Sequence, residues 1–268
     1  MVIVKDRVRT SEIEMEYFRF GTGDKTLVIL PGLSVKNVID AAEAVAEEYK
    51  SMAGEFTAYV FERRRELPAE YPIRAMALDT AEAIKTLGLR DIYLFGASQG
   101  GMLALVIAIE FPELVKKLAL GSTTSNVTDE RYEKVEKWIQ LAEKRDGVGL
   151  YLGFGRDVYP PEIFEQSREL LASIGVSVTE EEFERFIILA KGTKGFYVTD
   201  ELGKIQCPVL AIGVFEDEVL DSDATMEIAE KLDHRPDFRL YMYIGYGHAA
   251  YDTAPDYRDR LLRFFLRK

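Results

Sequence analysis

The chain has 268 residues, 47% of them hydrophobic, which suits one large globular domain or a domain that carries an insertion. Its 46 acidic and 34 basic residues give a formal net charge of −12 at pH 7, so nucleic acid and acidic membrane surfaces are disfavoured as partners. A single cysteine, Cys207, excludes an internal disulfide and stands in the apolar run "CPVLAIG", where a buried, unreactive thiol is expected.

Short β-branched or aromatic runs alternate with helical patterns in the first half of the chain, which predicts βαβ units and a mostly parallel sheet. In chain order we predict a half-exposed strand at "IEMEYFRFG", a buried strand at "TLVILPG", a helix over 39–52, a strand at "FTAYVF", a helix over 73–87 and a strand at "DIYLFGA". A long helix then follows Ser98 and stops at Pro112, and "VKKLALGS" predicts the next strand.

The pattern changes over residues 123–199 to amphipathic helical stretches with no strong strand, which predicts an inserted helical lid. After it, "PVLAIG" and "FRLYMYIG" predict two more strands, with helices over 223–232 and from Pro255 onward. The predicted fold class is therefore α/β, with a mostly parallel central sheet flanked by helices. Its core domain would comprise residues 1–122 and 200–268.

The segment "YLFGASQGG" places a serine between glycines at the point where a strand turns into a helix. The residues Gly96-Ala97-Ser98-Gln99-Gly100 fit the pattern Gly-x-Ser-x-Gly in the strand-and-helix context that a nucleophile elbow requires. Small residues are needed on both sides of such a corner because a Cβ there would clash. We predict that Ser98 is a nucleophile; a serine with only a structural role in the turn is the alternative.

A serine hydroxyl is a weak nucleophile at neutral pH and needs a base within hydrogen-bond reach. Of the two histidines, His248 follows the strand "YMYIG", whereas His234 precedes a strand. Chemistry in parallel sheets gathers at the carboxyl ends of the strands, so we predict that His248 is the base. A histidine with only a structural role is the alternative.

Four features together resemble the α/β-hydrolase fold superfamily, and within it the lidded serine esterases and lactonases. They are the elbow, the glycine loop "LPGLS" after an early strand, the acidic cluster in "AIGVFEDEVLD" and the "GYGH" before the last helix. The resemblance extends over nearly the full length of the chain. It implies a catalytic triad in the chain order serine, acid, histidine.

The resemblance also implies the remaining members of the site. Among the four acidic residues of "FEDEVLD", the family pattern points to Asp217, and we expect the others to be solvated loop charges. The oxyanion hole would consist of the backbone amides of Leu33 and Gln99. This chain has Pro31-Gly32 where many relatives carry His-Gly, and a tight turn without a catalytic role is the alternative for that loop.

Two further regions bear on substrate binding. Met102, one helical turn after the serine, and Trp138 in the lid are candidates for contacts with substrate, although most lid aromatics should pack into a core. Arg63, Arg64 and Arg65 stand where relatives often have an Asp-x-Arg-Gly-x-Gly loop. We expect these arginines to be solvated, with a contact to a carboxylate of substrate or lid as the alternative.

These features favour a serine hydrolase that cleaves a small to medium, mainly apolar ester, thioester or lactone through an acyl-enzyme. The alternatives are a ligand-sensing protein on the same fold, or a lyase, perhydrolase or carbon–carbon bond hydrolase with the same triad. No metal or other cofactor is expected, because the sequence has no clustered Cys/His ligands and no phosphate or dinucleotide motif. We expect a cytoplasmic monomer or homodimer acting on a small molecule, since no signal-like or membrane-spanning run is evident.

Overall fold

A computed structural model describes residues 1–267, in which eight strands form one sheet in the order β1-β2-β4-β3-β5-β6-β7-β8. The strands are β1 Ile3–Arg9, β2 Glu14–Phe20, β3 Lys25–Leu30, β4 Phe56–Arg64, β5 Ile92–Ala97, β6 Val115–Gly121, β7 Val209–Val214 and β8 Phe238–Tyr243. Strand β2 is antiparallel to β1 and to β4, and the pairs from β4 to β8 are all parallel. The predicted mostly parallel α/β sheet is confirmed.

Helices cover both faces of this sheet, as expected for parallel strands. Successive residues of β3 show this: Leu27 and Ile29 belong to one hydrophobic cluster, Val28 and Leu30 to the other. The helices are α1 Ala42–Glu48, α2 Ile73–Thr86, α3 Gln99–Glu110, α4 Asp129–Glu143, α5 Gly147–Val158, α6 Pro161–Val176, α7 Glu180–Lys191, α8 Asp223–Leu232, α9 Ala250–Thr253 and α10 Tyr257–Leu266. Among residues 1–267, no helix is both long and apolar enough to cross a bilayer.

Two local features differ from the sequence-based expectation. Strand β1, in the charged segment "IVKDRVR", was not predicted; it is largely exposed and exists as an edge strand through its pairing with β2. The single helix expected over 39–52 is instead a 3₁₀ turn at Val38–Ala41, the short α1, and a second turn at Lys50–Met52. The helix breaks at Tyr49, whose backbone leaves the helical region and whose ring packs into the core.

Helices α4 to α7 lie between β6 and β7 and form the segment that we call the lid. A β-bridge between Asn126 and Tyr197 joins the points where the chain leaves the core and returns to it. Arg131 of α4 anchors the lid to the core: its guanidinium lies 3.0 Å from Asp221 and 2.8 Å from Glu227 and is almost fully buried. The lid is thus held by backbone pairing and by a charge cluster.

The corner between β5 and α3 is packed backbone against backbone. A Cβ on Gly96 would lie 2.3 Å from the carbonyl oxygen of Gly100, and one on Gly100 would lie 2.0 Å from that of Leu30 at the end of β3. Ser98 lies at this corner with φ 51° and ψ −122°, a positive-φ backbone conformation that residues other than glycine rarely adopt. Gly96 and Gly100 are therefore required because neither position has room for a Cβ.

We predict that Gly100→Ala destabilises the protein, because the new methyl group meets rigid backbone oxygens. Overpacking of this kind costs about 1–3 kcal/mol, or a fall of several degrees in the unfolding temperature. Gly54→Ala is the matched control, since a Cβ there has no atom within 4 Å. Thermal unfolding of the two variants beside the wild type tests this; equal melting temperatures for both variants would contradict it.

Candidate active site

Three side chains from different loops meet at the carboxyl edge of the sheet. The Nε2 atom of His248 lies 2.9 Å from Oγ of Ser98, and its Nδ1 lies 2.8 Å from Oδ2 of Asp217. His248 is 2% exposed, so water does not compete for these contacts. If Nδ1–H donates to the carboxylate, Nε2 is free to accept the serine proton. The three predicted triad residues are therefore brought together in the order a proton relay needs.

The Asp217 carboxylate is fixed by the backbone around it. Its Oδ1 accepts hydrogen bonds from the amides of Val219, at 2.9 Å, and Leu220, at 3.0 Å, and its side chain is 4% exposed. The loop after β7 thus folds around this one carboxylate and aims it at His248.

The other acidic side chains of this loop have different partners. Glu216 accepts a hydrogen bond from the amide of Gly245, Glu218 is exposed, and Asp221 pairs with Arg131. All three are exposed, as expected for solvated loop charges, and two of them also make structural contacts. Asp217 is the acidic residue of the cluster that contacts His248.

Two other reactive side chains lie away from this site. His234 is exposed in the turn between α8 and β8, at the edge of the sheet opposite the triad. Cys207 is buried just before β7, and burial raises the pKa of its thiol to about 12. At neutral pH this thiol is protonated, as expected for an unreactive core cysteine.

The two amides predicted to form the oxyanion hole flank Ser98. Gln99 is the first residue of α3, and Leu33 follows Gly32, on which a Cβ would lie 3.2 Å from Cβ of Ser98 and 3.8 Å from its Oγ. The loop after β3 therefore lies directly against the serine. Leu33 and Gln99 line the same small cavity as Ser98. The chemistry that this arrangement supports is attack by a hydroxyl oxygen on a carbonyl carbon.

Comparisons with known proteins agree with this geometry. A family model described as the alpha/beta hydrolase fold matches residues 26–148. The crystal structure of MGS-M2, an alpha/beta hydrolase enzyme from a Medee basin deep-sea metagenome library, superposes with a TM-score of 0.86 at 20% identity, over 98% of both chains. This chain has the α/β-hydrolase fold.

Two named relatives are similar to this chain in sequence. RutD of Agrobacterium fabrum, provisionally named a carbamate hydrolase, is 28% identical over 205 residues, which are 75% of this chain and 77% of RutD. The serine hydrolase BPHL of Homo sapiens is 26% identical over 157 residues, which are 53% of either chain. Both names agree with a hydrolase.

Arg63 departs from the expectation for the basic run at the end of β4. It was predicted to be solvated, and that prediction is wrong: the residue is 3% exposed. Its Nη2 donates to the carbonyl oxygen of Pro31, at 2.9 Å, and to Oε1 of Gln99, at 3.1 Å. One guanidinium thus connects the loop and the helix that supply the two candidate oxyanion amides. Arg65, by contrast, is exposed as expected.

The buried charge of Arg63 is balanced nearby. Burial lowers the pKa of Arg63, and the negative charge of Glu62 opposes this effect. Glu62 is 6% exposed and also accepts a hydrogen bond at 2.9 Å from Arg185 of the lid helix α7. A signal for this role was present in the sequence, because a basic run directly after a buried parallel strand lies at the edge where active sites form.

Two cavities lie near the serine: Ser98 lines the smaller one, and its neighbours Gly32 and Ala97 line the larger one. The smaller has a volume of about 30 Å³ and is lined by Ser98 together with the predicted substrate contacts Met102 and Trp138. Trp138 is held in place by a 2.8 Å hydrogen bond from its Nε1 to Asp157. The larger has a volume of about 340 Å³, and Leu33 lines both.

The larger cavity is roofed by the lid. Tyr151, Phe154 and Tyr159 contribute aromatic rings from or next to α5, while Tyr251 and Asp252 enter from the segment after His248. Most other lid aromatics are buried as predicted: Trp138, Phe164, Phe183, Phe186 and Phe196. Tyr197 is half exposed on the surface.

We predict that Asp217→Asn slows the reaction of Ser98 by about 10⁴-fold, the order of loss found when an asparagine at this position in a triad favours the wrong histidine tautomer. The rate of inactivation by a fluorophosphonate measures this without knowledge of the substrate. Glu218→Gln, a neighbouring and exposed carboxylate, is the control and should react at the wild-type rate. Equal rates for the two variants would contradict the assignment of Asp217.

We also predict that Arg63→Met lowers kcat by up to about 10²-fold, the lower end of the effect of losing an oxyanion-hole donor. The substitution removes the bonds to Pro31 and Gln99 but retains an apolar stem of similar length. Arg65→Met is the control for the loss of a positive charge. Steady-state kinetics with an ester that the wild type hydrolyses tests this. The prediction fails if Arg63→Met keeps the kcat of the control.

Proposed function

We propose that this protein cleaves small to medium, mainly apolar esters, thioesters or lactones through an acyl-enzyme. The observation that carries the proposal is the continuous hydrogen-bond chain from Asp217 through His248 to Ser98 Oγ. The serine stands at an elbow and is half-buried, with an apolar cavity beside it. These are the elements that serine acyl transfer requires.

In the proposed reaction, Ser98 Oγ attacks the carbonyl carbon while His248 Nε2 takes its proton. The amides of Leu33 and Gln99 stabilise the negative charge on the carbonyl oxygen. His248 then returns the proton to the leaving oxygen or sulfur, which departs and leaves Ser98 acylated. Water, deprotonated by the same nitrogen, attacks the acyl carbon and releases the acid and free Ser98.

The proposed preference for apolar groups rests on the cavity walls. Aliphatic and aromatic side chains, including Val35, Phe95 and Phe154, dominate the lining of the larger cavity. A volume of about 340 Å³ suits a small molecule and is too small for a polymer chain. The net charge of −12 further disfavours strongly anionic substrates.

Carbamates are a second candidate substrate class. RutD, which aligns over three quarters of this chain, is named for that activity. The carbonyl of a carbamate could be attacked by the same serine and stabilised by the same amides. A substrate panel should therefore contain carbamates beside esters, thioesters and lactones.

For linear p-nitrophenyl esters we predict that kcat/KM passes through a maximum at short to medium acyl chains. Each added methylene should contribute up to about 0.8 kcal/mol of transition-state binding until the pocket is full. Longer chains should then react more slowly, because the cavity is finite. A rise that continues to long-chain emulsified esters would identify a lipase instead.

Ser98→Ala is the control for this panel. It should abolish both turnover and covalent labelling by a fluorophosphonate, while His234→Ala should retain both, since His234 lies at the opposite edge of the sheet. A folded alanine variant that is still labelled stoichiometrically would exclude Ser98 as the nucleophile. Absence of turnover by the wild type on every ester, thioester, lactone and carbamate would refute the proposed function.

A further inference from the structure

The larger cavity contains a carboxylate without a protein partner. Asp252 lies in α9, four residues after His248, and its exposed side chain lines this cavity. Within residues 1–267, no donor lies within hydrogen-bond distance of this carboxylate, and no cationic side chain lies within 4.0 Å of it. An unpaired carboxylate that opens into a cavity is free to pair with a cationic ligand there.

The positive charges near Asp252 are already engaged elsewhere. Lys36 also lines the cavity, but its Nζ binds Glu182 at 3.0 Å and the carbonyl oxygen of Ser177 at 3.1 Å, both in the lid. Arg258 pairs with Glu48 at 3.0 Å. His248 could also carry a positive charge, but its two ring nitrogens contact Asp217 and Ser98. Asp252 therefore makes no direct ion pair within residues 1–267, although the Arg258 guanidinium is near enough to oppose the rise in the pKa of Asp252.

Asp252 is largely ionised at the pH at which most enzymes work. Burial raises the pKa of Asp252 to about 6, with Glu48 acting in the same direction, while the positive charges of Arg258 and of a protonated His248 act against it. The many protein atoms around the residue explain the raised pKa, although the carboxylate itself is open to the cavity. At pH 7.5 the group is thus an anion that is open to the cavity.

Four tyrosines line the same cavity as this carboxylate. Tyr49, Tyr151, Tyr159 and Tyr251 all line the cavity, and in residues 1–267 none of their hydroxyl groups has a hydrogen-bond partner. A tyrosine ring attracts a cation to its face, and its oxygen accepts a hydrogen bond. An ammonium group has three donors and a positive charge, which these tyrosines and Asp252 can satisfy together.

We propose that the larger cavity binds a protonated amine, which Asp252 holds by charge and the tyrosines by their rings and hydroxyl groups. The identification of this ligand as part of the substrate rests on the proposed function. Asp252 lies four residues after His248 and lines a cavity that shares Leu33 with the cavity at Ser98, so the ammonium group would lie near the reacting bond. The substrate would then be an apolar ester or related acyl compound that carries an amine.

Binding of a matched pair of small molecules tests the proposal without turnover. Benzylamine is a cation at pH 7.5, and benzyl alcohol is its neutral counterpart of nearly the same size and shape. On the Ser98→Ala protein, calorimetry should give a Kd for benzylamine at least about tenfold lower than for benzyl alcohol, as expected for a cation in an aromatic and anionic site.

Two further variants in the Ser98→Ala background assign the effect to one carboxylate. Asp252→Asn keeps the size of the side chain and should reduce the preference for the amine to less than about threefold. Asp259→Asn, an exposed aspartate on α10, removes the same charge elsewhere and should leave the preference unchanged. Thermal unfolding of each variant confirms that it is folded.

Equal binding of the two probes, tighter binding of the alcohol, no binding of either, or an unchanged preference in Asp252→Asn would each overturn the proposal. Failure of the proposed function is a different result: the wild type would then turn over no ester, yet its Ser98→Ala form would still prefer benzylamine. In an active wild type, benzylamine should also inhibit p-nitrophenyl ester hydrolysis competitively. Noncompetitive inhibition would refute the link to the substrate site.

Discussion

The close backbone contact at the corner between β5 and α3 is the constraint on which the active site depends. Gly96 and Gly100 bring the ends of β3 and β5 and the start of α3 together without space for a Cβ. The left-handed backbone of Ser98 costs of order 1–3 kcal/mol and persists because the surroundings fix it. Its amide donates to Gly121, and its carbonyl accepts from Thr123. The same contacts set the position of Oγ against His248.

Buried polar contacts connect the lid to this corner. The side chain of Gln99 accepts from Arg63 and donates at 2.8 Å to the carbonyl oxygen of Leu189 in α7, and Arg185 of the same helix binds Glu62. A displacement of α7 would leave these groups unpaired in a site with little water, which is costly. The lid therefore helps to fix the position of Gln99, whose backbone amide is a candidate oxyanion donor. It also forms the roof of the cavity.

The charged side chains on the two sides of Ser98 differ in their direct partners. Around Arg63, the buried guanidinium donates from Nη2 to the carbonyl oxygen of Pro31, and Arg185 pairs with Glu62, although Nε of Arg63 has no hydrogen-bond partner within residues 1–267. Across the loop, Asp252 faces the larger cavity without such a partner. Unpaired polar groups lower stability and are retained where a ligand completes them. Leu33 lies between the region around Arg63 and the cavity that Asp252 faces, since it lines both cavities.

The sequence by itself determined the alternation of strands and helices, the elbow around Ser98 and the choice of His248 over His234, because these depend on local patterns and on which end of a strand a residue follows. Resemblance to a family was needed to select Asp217. Only the tertiary structure decided that β1 pairs as an edge strand, that Arg63 is buried, and that Asp252 faces a cavity. Each of these depends on contacts between segments distant in the chain; the basic run at the end of a strand indicated that Arg63 lies near the site, but its burial depends on Pro31 and Gln99, which are far away in the sequence.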